Sequence, residues 1–127
     1  GPSPSCSQTR RLVVRRRLSE LQAAIDELTQ AIDWQPLDEA TLVEFLRRRA
    51  ELGMIVGAEA QSAADLERAY EVVGAELIPD LVDGLERWRS AATRRSDRAG
   101  ERAATLRLVE ILGKEGAGEQ ARVALAE

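Results

Sequence analysis

Hydrophobic residues recur along most of the chain at steps of three and four, the spacing that places them on one face of an α-helix. The first seam of this kind predicts an amphipathic helix from about Gln8 to Asp33. Its members are Val14, Leu18, Leu21, Ile25, Leu28 and Ile32. Pro36 cannot continue a helix, and Asp38 is suited to cap the next helix at its N-terminus.

The second seam is longer and keeps its register without a slip. Its members are Leu42, Phe45, Arg49, Leu52, Val56, Glu59, Ala63, Leu66, Tyr70, Val73 and Leu77. This register favours one continuous helix over residues 39–77, which would be about 58 Å long at ~1.5 Å per residue. Gly53, Gly57 and Gly74 each oppose a helix interior. The alternative is therefore a break near residues 59–62.

The sequence Ser62-Ala63-Ala64-Asp65 supports that alternative, because it resembles a capping box at the start of a new helix. Pro79 then fits the first turn of a further helix. Its seam comprises Ile78, Leu81, Val82, Leu85, Trp88 and Ala92.

Another apolar row lies in the C-terminal third of the chain. It comprises Ala99, Ala103, Leu106, Val109 and Leu112. One helix over residues 79–112 and two helices joined near residues 96–100 both fit this pattern. Gly113 is expected to act as the C-cap.

These seams predict an all-α fold, because long helices with short connections pack side by side in alternating directions. We expect an elongated antiparallel three-helix, coiled-coil-like bundle, or a four-helix bundle if the middle helix breaks. Residues 8–113 would form it. Residues 1–7 are expected to be a flexible N-terminus with a cloning scar. Residues 114–127 are expected to be a frayed or short docking segment.

The composition narrows the chemistry that the 127 residues can support. The chain has no His and one Cys, Cys6, which excludes imidazole catalysis, an intramolecular disulfide and a Cys-based zinc site. The motifs of a phosphate-binding loop and of a nucleophile elbow are absent from the sequence. We therefore expect a non-enzymatic protein that uses no cofactor and no metal.

Arg49 and Glu59 are charged residues at seam positions, where a core would be apolar. One reading is that both lie at the edge of the seam with their charged ends in water. In the other, they set the register of an antiparallel dimer centred on Met54, each Arg49 facing Glu59 of a second copy. Gly53 and Gly57 are small enough to let two helices approach closely on that face.

Basic residues are grouped unevenly along the chain, although the net charge is only −4. The basic arm at residues 10–17 carries five arginines, among them Arg15, Arg16 and Arg17, and no acid. Residues 18–127 hold 13 bases and 22 acids, a net charge of −9. This asymmetry indicates that the arm could contact a membrane surface or an acidic partner.

A second basic group contains Arg94, Arg95 and Arg98, and in a bundle it could lie near residues 47–49. Such a patch could bind an anionic small molecule or a nucleotide. Nucleic acid is not expected, because the chain is acidic and has no recognised nucleic-acid-binding motif.

These features together predict a cytoplasmic protein-interaction domain that serves as a scaffold, adaptor or regulator. We expect a protein partner, self-association as a homodimer, or both. A regulator that binds an anionic ligand at the arginine clusters is the alternative. A membrane-surface role for the basic arm is a third hypothesis.

Overall fold

The computed structural model describes the backbone of residues 6–126 and the side chains of residues 10–116. Of the predicted flexible N-terminus, residues 1–5 lie outside this range, whereas residues 6 and 7 belong to the first helix. Within the described residues the fold is all-helical, which confirms the predicted fold class. The helices are α1 (Cys6–Trp34), α2 (Glu39–Val56), α3 (Glu59–Val73), α4 (Ile78–Arg94) and α5 (Arg98–Ala126), with a 3₁₀ turn at Gly74–Leu77.

The connection between α1 and α2 forms as the sequence predicts. Helix α1 ends at Trp34, two residues before Pro36, and α2 begins directly after Asp38. The Asp38 carboxylate accepts a 2.7 Å hydrogen bond from the amide of Thr41, which satisfies one of the free N–H groups of the first turn.

Helix α2 runs back along α1. Residues late in α1 meet residues early in α2, since Ile32 packs in one cluster with Leu46. Residues earlier in α1 meet residues later in α2, since the Arg49 guanidinium donates to the Thr29 hydroxyl. In both pairs the residue numbers sum to the same value, which is the relation expected for two helices running in opposite directions.

The continuous helix favoured for residues 39–77 is wrong, because α2 ends at Val56. Gly57 follows in the left-handed conformation with φ 88°, and the amide of Ala58 bonds to the carbonyl of Gly53. A side chain is strained in that conformation, so glycine there terminates the helix cleanly. The break therefore falls at residues 57–58 and not at 59–62, and Ser62 and Asp65 lie inside α3.

The last two helices meet at a tight turn around Ser96, which has φ 59°. The Asp97 carboxylate accepts a 3.0 Å hydrogen bond from the amide of Gly100 and so caps α5. This turn decides the open choice between one and two helices in favour of two. Helix α5 continues through Gly113 to Ala126, so Gly113 is not a C-cap and residues 114–126 extend the helix.

The hydrophobic core has two parts, and each helix contacts the one before it in the chain. The larger cluster has members on α2, α3, α4 and α5. They are Ala50, Ala63, Leu66, Leu81, Leu85, Leu108 and Ile111. The smaller cluster joins α1, α2, α3 and the 3₁₀ turn and comprises Ile32, Val43, Leu46, Ala69 and Leu77. Five helices rather than three or four therefore share the core.

Candidate functional site

Arg49 lies in a largely buried ion pair that ties three helices together. Its guanidinium donates to both carboxylate oxygens of Asp65 on α3, at 2.8 Å and 2.6 Å, and to the Thr29 hydroxyl on α1 at 3.2 Å. The Arg49 side chain is 12% exposed and that of Asp65 is 3% exposed. Hydrogen bonding to Asp65 raises the pKa of Arg49 above its ordinary value, against the opposing effect of burial.

Glu59 is held within the chain by Arg95, which approaches from the turn before α5. The guanidinium of Arg95 donates to the two carboxylate oxygens of Glu59 at 2.8 Å and 3.2 Å, and to the carbonyl of Gly57 at 3.4 Å. Burial raises the pKa of Glu59. Hydrogen bonds from Arg95 and the positive charges of Arg94 and Arg95 lower it by more than burial raises it. The net effect places the pKa of Glu59 below its ordinary value.

Arg49 and Glu59 thus have separate partners within one chain, and α2 ends between them. The proposed alignment about Met54 required both residues on one straight helix, and that requirement is not met. The reading in which both charged ends stay in water is also wrong for Asp65-bound Arg49, whose side chain is mostly buried.

At Gly53 the backbone of α2 lies close to Ser62 of α3. A Cβ placed on Gly53 would clash with the Ser62 hydroxyl oxygen, so no side chain fits there without movement. Ser62 is 1% exposed, and its hydroxyl is buried without a hydrogen-bond partner. Gly53, predicted for contact with a second copy, is therefore used in contact between α2 and α3, and Gly57 is used to end α2.

The predicted basic patch is not a uniform cationic surface. Arg94 lines a groove that also contains Glu59, Asp83 and Glu86. Of the predicted neighbours at residues 47–49, Arg47 donates to Asp80 at 2.7 Å. Arg98 is exposed at the start of α5. An anion entering this region would meet carboxylates as well as guanidinium groups.

The basic arm lies on a stretch of α1 that the body of the protein does not cover. Every residue from 10 to 20 is exposed, whereas the buried and half-buried residues of α1 begin at Leu21. Arg15 and Arg17 are exposed, and Arg16 forms a surface ion pair of 3.5 Å with Glu20.

An uncovered apolar surface lies on α5, and it is the row that the sequence pattern assigned to the core. We call this the outer row; it consists of Ala99, Ala103, Leu106, Val109 and Leu112, all of which are exposed. The buried residues of α5 form the inner row, which consists of Gly100, Ala104, Leu108 and Ile111. At about 100° per residue Leu106 and Val109 lie on the side of the helix opposite the inner row, whereas Leu112, four residues after Leu108, lies only about 40° from Leu108.

A salt bridge of Arg107 accompanies this orientation of α5. Arg107 donates to both carboxylate oxygens of Glu67 on α3, at 2.6 Å and 2.7 Å, and to Glu110 at 2.9 Å. These bonds raise the pKa of Arg107, and those to Glu67 join α5 to α3. Leu106, Val109 and Leu112 remain 58%, 65% and 48% exposed.

The remaining surface of the described residues offers little further chemistry. No group of three or more Cys, Asp or Glu side chains among them is arranged to hold a metal ion. None of their helices combines the length and the apolar composition that a bilayer crossing needs. Compared with protein families, curated proteins and solved structures, the chain matches none of them.

Proposed function

We propose that the chain is a non-enzymatic protein-interaction domain, built as an antiparallel helical bundle, that associates with itself through the outer row of α5. The observation that carries this proposal is the exposure of Leu106, Val109 and Leu112 in one continuous row. Isolated exposed apolar residues are ordinary, but a contiguous apolar face marks a contact surface. Burial of such a face is favourable in proportion to the area removed from water.

Charges on the same face favour a second copy as the occupant. Arg102 and Glu110 are both exposed, and each lies four residues from Leu106, in opposite directions along α5. Glu110 also accepts a hydrogen bond from Arg107, which leaves its 60% exposed side chain accessible to a second donor. In an antiparallel two-fold pairing through Leu106, each Arg102 would face Glu110 of the other chain. A two-fold interface repeats each contact, so this pairing would form twice.

The proposal is tested by replacing Leu106 and Val109 together with Glu. The matched control is Lys114→Glu, which changes the net charge by the same amount at an exposed position of α5 outside the outer row. The mass of each protein is measured by light scattering over a range of concentrations, and its helical content by circular dichroism.

We expect the parent chain and the Lys114→Glu control to rise above the monomer mass of 13.9 kDa as concentration increases. The double variant should stay at the monomer mass with unchanged helical content. If the parent chain stays monomeric at every concentration, or if the double variant associates as well as the parent, the proposal is wrong.

The alternative of an anion-binding regulator has less support. Of the arginines predicted to bind the anion, Arg95 donates to Glu59 and Arg16 pairs with Glu20 within the chain, and Arg94 lies beside acidic residues. A phosphate-bearing ligand would have to displace these ion pairs or compete with the acids beside them. The outer row has no comparable partner among the described residues.

A further inference from the structure

The N-terminal part of α1 extends an established helix–helix seam past the end of its partner helix. We call residues 10–20 the overhang. In the register set by Thr29 with Arg49 and Ile32 with Leu46, the last residue of α2, Val56, falls opposite Gln22. A groove lined by Gln22, Gly53 and Val56 agrees with this alignment. Helix α2 therefore ends beside the C-terminal end of the overhang, and residues 10–20 of α1 extend beyond it.

The apolar seam does not end there. Val14 and Leu18 continue at steps of three and four from Leu21 and Ile25, and they are 54% and 44% exposed. The overhang therefore presents the continuation of a surface that already packs against a helix. A second helix placed in line with α2 would cover it by the same kind of contact.

The charges that flank this seam identify the chemistry of such a helix. In the seven-residue repeat that places Val14 and Leu18 on the seam, Arg15 and Arg17 occupy the two flanking positions, as does Arg10 two turns before Arg17. Arg11 falls on the seam position one heptad before Leu18 and ends its apolar part. Arg16 points away from the seam, with 84% of its side chain exposed. Flanking positions contact the partner helix directly, and charges there select partners by sign.

We propose that the overhang is a docking surface for an acidic amphipathic helix of another protein, one with apolar seam residues and Glu or Asp at its flanking positions. This inference rests on the proposed function in that it gives the interaction domain a second surface and a partner class. A second copy of the overhang does not fit, because arginines would face arginines in either orientation. The overhang also exposes Leu12 and Val13, but its four large apolar side chains are interspersed with five arginines around the helix, so they do not form the one broad apolar face that a membrane-surface helix uses.

The experiment uses the full chain and a synthetic helical peptide as the probe. The peptide is about four heptads long, with Ile and Leu on its seam and Glu at its flanking positions; a second peptide has Lys there instead. Binding is measured by fluorescence anisotropy with the peptide labelled. The single variants Arg15→Glu and Arg17→Glu change the flanking positions, and Arg16→Glu is the matched control for charge.

We expect the Glu peptide to bind and the Lys peptide not to bind. Each flanking reversal should weaken binding roughly fivefold, since an attraction becomes a repulsion, whereas Arg16→Glu should weaken it less than about twofold. Equal losses for all three variants would overturn the proposal, because they indicate diffuse attraction to any anion. Tighter binding to vesicles of phosphatidylcholine and phosphatidylserine than to the Glu peptide would also overturn it.

Two controls keep the outcomes separable. Glu in the first turns of a helix is compatible with the helix dipole, so circular dichroism should show the variants to be as helical as the parent chain. The Leu106→Glu, Val109→Glu protein should bind the Glu peptide as the parent chain does. Loss of self-association with retained peptide binding contradicts neither proposal, and failure of either measurement refutes only its own surface.

Discussion

Removal of the Asp65 carboxylate should be among the most destabilising single changes in the chain. In Asp65→Ala, the Arg49 guanidinium loses two short hydrogen bonds and stays in a site where its side chain is 12% exposed. Breaking a buried ion pair from one side costs about 3–5 kcal/mol, because a charge is left without its partner. A domain of ordinary stability has only about 5–15 kcal/mol in total.

The exposed ion pair between Arg47 and Asp80 provides the matched control. It has the same residue types and a similar distance, 2.7 Å, but its side chains are 52% and 43% exposed. Asp80→Ala should therefore cost about 0–1 kcal/mol. Urea denaturation followed by circular dichroism measures the free energy of unfolding of both variants. In a thermal scan, the larger loss should lower the melting temperature by about 12–20 °C for a chain of this size.

A double variant distinguishes the loss of a partner from the loss of packing. Replacing Arg49 with Met and Asp65 with Leu removes both charges and should recover most of the stability. The difference between Asp65→Ala and the parent chain should be the same at every protein concentration, since the pair lies within one chain. If Asp65→Ala costs no more than Asp80→Ala, the assignment of the Arg49–Asp65 pair as a buried tie between helices is wrong.

Two further predictions concern the contact of Gly53 with Ser62 and the ion pair of Glu59 with Arg95. Gly53→Ala should destabilise the parent chain, since its methyl group meets the Ser62 hydroxyl; in a Ser62→Ala background it should stabilise by up to about 1 kcal/mol, as measured by urea denaturation. Equal effects in both backgrounds would refute the close contact. Because the pKa of Glu59 is lowered in the folded state, its pair with Arg95 should stabilise above the ordinary carboxyl pKa and fade as pH falls through the folded value. Glu59→Gln should therefore be less stable than the parent at pH 7 and equal to it near pH 2, and a constant difference would contradict this.

The sequence predicts much of the helical structure correctly where one apolar face exists. The seam through Leu21, Ile25, Leu28 and Ile32 packs against α2 as expected, Asp38 caps α2, and Pro79 lies in the first turn of α4. These features depend on local backbone chemistry, which a single sequence carries.

The sequence prediction fails where two different structures are compatible with the same spacing of apolar residues. The unbroken seam over residues 39–77 is as compatible with a hairpin as with a straight helix, and the deciding signal is the single left-handed Gly57. Helix α5 has two apolar rows at helical spacing, and the row with the larger side chains faces outward. In the buried row, Leu108 and Ile111 pack in one cluster with residues of α2, α3 and α4, and such long-range neighbours cannot be identified from local pattern.

The candidate site shows the same division between local and long-range information. Arg49 and Glu59 stand out in the sequence because they interrupt an apolar seam, so their importance to packing is predictable. Their partners are not, because Asp65 and Arg95 resemble ordinary surface residues until α3 and the α4–α5 turn are placed beside α2.

The claim that the outer row of α5 is the surface of self-association is tested most directly by methyl NMR of the full chain in a dilution series. The account predicts that the methyl signals of Leu106, Val109 and Leu112 shift together as concentration rises, while those of Leu81 and Leu85 in the core stay fixed. Methyl signals that are independent of concentration, or shifts that cluster around another exposed residue such as Ile55, would contradict it.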